Sequence, residues 1–379
     1  MHVSRAARTL EGMLATSLAA LALSAPLPQV SIEAERRIGG AKVPAQMRMR
    51  GLDARIAIGV RGRWSRRFPK KSYSLEVREP DGANRNVPLL GMPAEDDWIL
   101  YAAYNDRTLI RNVLAYGTSR WMGRYAARTR FVRLRLNGRY HGVYVLMEKL
   151  KLHEHRVRAG DRGFLLERTS ARQGPLQGRF FRTPVTGLPV VWYDPERGSA
   201  AARRKVTRAE RALYRGPPGA WRRHIHGPAA IDHFLLNEVF KNQDAMHTSA
   251  FMSIAGPGRP LRLGPIWDFD HSMGQSTRGP SAVLPGLMLA QRPWAERLYQ
   301  DGAFRRAMAR RWRELRRDGL KRMLLRRIDR LGARLADEAA RDTRRWPTGG
   351  HRPRGSRRQH MRGLRSWLVQ RIAWLDRNL

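Results

Sequence analysis

The sequence predicts an α+β protein in which a strand-rich first half joins a helix-rich second half. Three observations carry this. Asn137-Gly138 lies between two alternating apolar runs, 131–136 and 139–146, the strongest short-range signal for a β-hairpin. Beyond Gly274 the alternation gives way to helical spacing over 294–315, 320–341 and 356–379. Finally, 379 residues with 42% hydrophobic content are enough to build two lobes.

Residues 1–25 read as a secretory signal. Two Arg and a His precede an apolar run of about eleven residues, Met13 to Leu23, and Ala20-Leu21-Ala22 within it and Ser24-Ala25-Pro26 after it offer small-residue cleavage sites. The run is too short to span a bilayer. An exported protein is therefore expected, periplasmic, surface-bound or secreted. No later segment approaches eighteen apolar residues, so no membrane span is expected in the mature chain.

Residues 26–198 are expected to form the strand-rich lobe. Tyr73, Leu75 and Val77 alternate as in a half-buried strand, and Lys71 shares their register, which makes it a candidate for gripping phosphate. Asp106 reads as the N-cap of a helix running through Trp121. Short strands follow at 163–167 and 190–193. Residues 199–379 form the helix-rich lobe, opening with a basic, partly helical stretch and a helix over 228–240.

The charge balance is extreme, with 73 Lys+Arg against 32 Asp+Glu and a formal net charge of +41. About 65 of the bases are Arg and 8 are Lys. A surface selected for polyanions admits both types, so much of the Arg excess reflects codon bias. The basic surface suits an acidic protein partner, and sequence-specific nucleic-acid binding is not expected. The chain has no Cys, which excludes disulfides, thiolate metal sites and Cys nucleophiles.

Against this background the stretch from Asn242 to Gly274 stands out, because it holds Asp244, Asp268 and Asp270. Carboxylates held together repel, and such a cluster usually has a cation beside it. No G-x-x-x-x-G-K-[ST] loop occurs, which disfavours a P-loop enzyme.

The ordered series Arg61-Gly62-x-x-Ser65, Pro69-Lys70-Lys71-Ser72-Tyr73, Trp98-x-Leu100, Asp106-x-x-x-x-Arg111-Asn112, Asn137-Gly138-x-Tyr140-x-Gly142-Val143-Tyr144, Glu148, Asn242-x-Asp244 and Trp267-Asp268-Phe269-Asp270 resembles the CotH family of spore-coat kinase-like proteins. The likeness covers roughly residues 47–379. It implies a two-lobed atypical protein-kinase-like fold. It also implies use of ATP with Mg²⁺, Mn²⁺ or Ca²⁺, and transfer of the γ-phosphate to Ser or Thr of a surface or coat protein. By the same likeness Asp244 is the catalytic-loop acid and Asp268 the metal-binding acid, with Asp270 beside it. Two carboxylates plus phosphate and water suit Mg²⁺. Lys71, or alternatively Lys70, would contact ATP, and Glu148 would hold that lysine. One departure bears on activity. The family usually carries a metal-binding Asn several residues after the catalytic-loop Asp, and none occurs between Asp244 and Phe251. A non-catalytic surface or coat scaffold is therefore the alternative, with polyanion binding through the Arg surface as a third reading.

Overall fold

Alternating apolar residues in the first half close seven strands into a barrel. The computed structural model describes residues 26–170, 179–256, 258–276, 279, 281–347 and 353–379; the signal segment expected over 1–25 lies outside them. The barrel contains β1 (Gln29–Ala34), β2 (Val43–Met49), β3 (Leu52–Arg61), β4 (Ser72–Arg78), β7 (Asp97–Tyr101), β8 (Thr129–Leu136) and β9 (Arg139–Glu148). Their order is β1-β2-β3-β4-β7-β9-β8, and β1 closes the ring by running parallel to β8. Closure leaves no unpaired edge in this sheet. A small hairpin, β5 (Val87–Leu89) with β6 (Met92–Glu95), precedes β7.

The interior follows the period-two rule. Tyr73, Leu75 and Val77 of β4 point inward to meet Trp98 and Leu100 of β7 and Tyr144 and Leu146 of β9. The alternate residues of β9, Val143, Val145 and Met147, face the other way and join the main helical core. One strand thus serves two cores, which is why residues 142–148 are all buried.

A second sheet of five strands has the order β11-β12-β10-β13-β14, formed by β10 (Phe164–Arg168), β11 (Phe180–Arg182), β12 (Pro189–Asp194), β13 (Ala250–Ile254) and β14 (Arg262–Leu263). It draws β13 and β14 from beyond residue 198, so the boundary expected there runs through a hydrogen-bonded sheet.

Eight α-helices lie among the described residues: α1 (Arg111–Trp121), α2 (Ala200–Tyr214), α3 (Gly227–Phe240), α4 (Ala295–Gln300), α5 (Gly302–Arg317), α6 (Leu320–Arg334), α7 (Ala336–Arg345) and α8 (Arg357–Asn378). None is long and apolar enough to cross a membrane. Two of the expected long helices are split. Asp301 breaks the first and caps α5, accepting from the N–H groups of Ala303 and Phe304 at 2.8 and 3.4 Å. The second breaks at Leu335, between α6 and α7. Asp106 is not an N-cap, because α1 starts five residues later, after Leu109 at a φ of 65°. Its carboxylate instead accepts the N–H groups of Thr108 and Arg111 at 2.9 and 3.0 Å and pairs with the Arg111 guanidinium. At the C-terminus a Ser356/Gln359 capping box starts α8. Arg371 of α8 is fully buried and reaches Glu238 of α3 at 2.8 Å.

Candidate functional site

A cavity of about 1690 Å³ lies between the barrel and the helical part, and Asp244, Asp268 and Asp270 all line it. Each keeps some surface open to the cavity. The Asp268–Asp270 turn follows β14 and is held from beneath by α1. Asn112 donates to Asp270 at 2.7 Å and accepts the N–H of Phe269 at 2.7 Å. Tyr101 of β7 also donates to Asp270. The hydroxyl of Tyr116 accepts the N–H of Asp268 at 3.2 Å. Phe269 is buried edge-on to both Tyr116 and Phe240, so it anchors the turn while the flanking carboxylates face the cavity. Asp268 adopts a left-handed φ of 57°, a conformation that Asp tolerates better than most side chains.

Asp244 sits in the turn after α3. Its neighbour Gln243 donates its N–H to the carbonyl of His271 at 3.1 Å, and Met273 donates to that of Phe240 at 2.7 Å. These two bonds stitch the Asp244 turn to the Asp268–Asp270 turn.

The electrostatics are those of acids crowded without enough positive charge. Burial, then the charge of Asp268, push Asp244 up to about 7, against a smaller opposing effect of Arg292. Burial also raises Asp268, opposed by His271, Arg61 and a backbone hydrogen bond from Asp270. Asp270 is held well above the usual carboxylate range by burial and then by Asp268, although Tyr101 and Asn112 oppose the shift. The groups that hydrogen-bond Asp270 are neutral, so its charge has to be balanced from the cavity side. A divalent cation fits this donor set. Among the described residues no group of three or more His, Asp or Glu side chains forms a ready metal cage. The fit is therefore to a cation that takes one or two carboxylates and completes its shell with phosphate and water.

The opposite wall is basic. Arg61 lies against Trp267, with its guanidinium 5.8 Å from the ring centre, and Lys42 and Lys149 also line the cavity. Lys42 is ion-paired with Glu76 of β4, and Lys149 with Asp97 at 3.1 Å. Glu167 of β10 is a fourth cavity carboxylate, raised by burial.

Three expected site residues lie elsewhere, and their assignment is corrected. Lys70 is buried at one end of the barrel, where its ammonium meets Asp342 of α7 at 2.7 Å and the carbonyl of Val143 at 2.6 Å. Lys71 points outward and donates to the carbonyl of Arg66 at 2.5 Å. The barrel-facing register of β4 begins with Tyr73, and Lys71 precedes the strand, so it does not follow that face inward. Glu148 is fully buried against Arg128 at 2.7 Å, with Tyr125 at 3.2 Å. Neither lysine reaches it: Glu148 is level with Trp98 of β7 and Leu75 of β4, several residues along the strands from Lys70 and Lys71, which precede β4. Sequence reasoning missed Lys42, Glu76, Lys149 and Glu167. Arg61 and Asn112 stood in the recognised series without a role. The rarity of Lys in this chain was the one signal that could have drawn attention to Lys42 and Lys149.

A seven-stranded barrel thus packs on a helical body, and two acid-bearing turns share one cavity with basic side chains of the barrel. The family model described as CotH kinase protein matches residues 58–375, and the chain belongs to that family. No curated protein matches it.

Proposed function

We propose that the protein is an exported, ATP-dependent protein kinase with a two-lobed kinase-like arrangement, transferring the γ-phosphate to Ser or Thr of a surface or coat protein. The observation that carries this reading is the convergence of Asp244, Asp268 and Asp270 on one cavity faced by Arg61, Lys42 and Lys149. Phosphoryl transfer needs positioning and charge neutralisation more than covalent chemistry from the protein. Asp268 and Asp270 would hold Mg²⁺, Mn²⁺ or Ca²⁺, which supplies charge neutralisation at the phosphates when bound. Asp244, raised to about 7, suits an acid that accepts the proton of the attacking hydroxyl near neutral pH. Lys42, oriented by Glu76, takes the phosphate-contacting role that the sequence suggested for Lys70 or Lys71. Arg61 covers the phosphates from the barrel side.

The test is incubation of the mature chain with γ-labelled ATP and Mg²⁺ or Mn²⁺. Label on an acceptor protein or on the chain itself is expected, with loss in Asp268→Ala and in Asp244→Ala. Unchanged labelling in both variants overturns the assignment. A second reading, nucleotide binding without transfer, rests on the missing Asn: Thr248 and Ser249 stand in the cavity wall where an amide ligand is usual. It predicts thermal stabilisation by ATP with no label transferred.

A further inference from the structure

A second cavity, of about 600 Å³, lies behind the Asp268–Asp270 turn and shares no lining residue with the first. Its walls come from the end of α1, the loop after β9, α3 and the segment from β14 to Ile266. Six arginines line it, Arg120, Arg124, Arg128, Arg156, Arg158 and Arg262, against a single carboxylate, Asp232. That carboxylate is already engaged by Arg124 at 2.7 Å and by Arg311 at 2.9 Å. Arg128 and Arg156 are steered by buried acids, Glu148 at 2.7 Å and Glu95 at 3.0 Å. A guanidinium has five N–H donors, so these pairings fix the groups without exhausting them. The side chain of Arg262 is exposed and makes no hydrogen bond or ion pair among the described residues.

The second observation is His233. It is 8% exposed, lines this cavity, and neither ring nitrogen meets a hydrogen-bond partner among the described residues. A buried polar group without a partner is costly in a folded protein and calls for an explanation. Burial holds its imidazole down at about 4, so at neutral pH it offers one donor and one acceptor rather than a charge. Fixed guanidinium groups recognise phosphate by paired N–H bonds. A neutral imidazole beside them matches a hydroxyl, which can both give and accept a hydrogen bond.

We propose that this cavity is a second ligand site, separate from the acid cluster, for a small phosphate-bearing anion with free hydroxyl groups, of the polyol monophosphate class. The arginines take the phosphate and His233 takes a hydroxyl. The floor of the cavity, from Leu263 to Ile266, leads directly into Trp267 and Asp268, so an occupant rests against the root of the catalytic turn.

The test is calorimetric titration of the full mature chain with inorganic phosphate and, separately, with glycerol 1-phosphate. Binding of glycerol 1-phosphate is expected, weakened at least tenfold by the exposed double variant Arg158→Ala/Arg262→Ala and unchanged by Arg61→Ala in the first cavity. Tighter binding of glycerol 1-phosphate than of phosphate, with the difference removed by His233→Phe, shows that the hydroxyl is read. Equal binding of the two probes reduces the site to a phosphate site and overturns the polyol assignment. Absence of binding by either probe at millimolar concentration, or loss in Arg61→Ala alone, overturns the site itself. Both variants at Arg158 and Arg262 remove exposed side chains, and a preserved unfolding midpoint verifies that each is folded. Since the phosphotransferase reading is tested by label transfer and this one by binding, the two can fail separately.

Discussion

Asn112 holds Asp270 with its amide nitrogen and the backbone of Phe269 with its amide oxygen, both at 2.7 Å. One side chain on α1 thereby fixes the position of a cavity carboxylate and the peptide that carries it. Asn112→Ala removes both bonds and leaves a buried N–H unpaired. A stability loss of about 1–3 kcal/mol is expected in urea unfolding. Label transfer should fall further than stability alone explains, because the acids lose their spacing. Asn112→Asp should be worse than Asn112→Ala at neutral pH, since it adds a like charge against Asp270.

Asp268→Asn keeps the shape and the tolerance for a left-handed φ, yet removes a charge that raises its two neighbours. The metal-free variant should unfold at a higher temperature than wild type near pH 8. The same variant should lose the stabilisation that Mg²⁺ gives wild type. A melting series with and without the cation reads both effects.

The acidity of Asp244 sets a pH dependence. Its folded pKa of about 7 lies well above the ordinary range of an aspartate carboxyl. The group therefore favours folding at low pH, where both states are protonated alike at its position, and this contribution is lost as pH rises through about 7. Wild type and Asp244→Asn should be similarly stable near pH 4, and the variant should become the more stable of the two towards pH 8. Transfer activity should rise over the same interval as the carboxylate ionises. Denaturant midpoints at a series of pH values check the first expectation, and initial rates check the second.

Lys70 and Lys71 are neighbours with opposite expected consequences. Lys71→Ala removes an outward side chain and should leave stability and labelling nearly unchanged. Lys70→Met strands Asp342 without its counter-charge in a buried place, a loss of about 3–5 kcal/mol. The double change Lys70→Met/Asp342→Leu should recover much of that loss. Comparable labelling in Lys70→Met, once corrected for the folded fraction, would separate this residue from the phosphate site.

The parts of the fold legible in the sequence were those that local patterns encode. The Asn137-Gly138 hairpin gave β8 and β9, and the Tyr73, Leu75, Val77 alternation gave β4. Barrel closure was not legible, because the pairing of β1 with β8 joins segments about a hundred residues apart and leaves no local mark. The helix breaks at Asp301 and Leu335 were hidden because apolar spacing continues across them. In the site, the acids could be read because three carboxylates in a basic chain are conspicuous. Arg61 could not, because in a chain this rich in Arg one more guanidinium looks like any other. Adjacent lysines point to 70 and 71, while the lysines that line the cavity are Lys42, which lies alone before β2, and Lys149, which follows β9.

Lys70 and Asp342 lie 272 residues apart in the chain. Gly142, at a φ of 114°, sits directly beside both, where any side chain would collide with the Asp342 carboxylate. On a ribosome the barrel strands emerge long before α7, so Lys70 has neither its counter-ion nor the helix that covers it until the chain is nearly complete. A fragment ending at residue 198 would lack Asp342 and leave Lys70 without that partner. The barrel is thus finished only by the last fifth of the polypeptide, and the order of synthesis runs opposite to the order in which its interior becomes electrically complete.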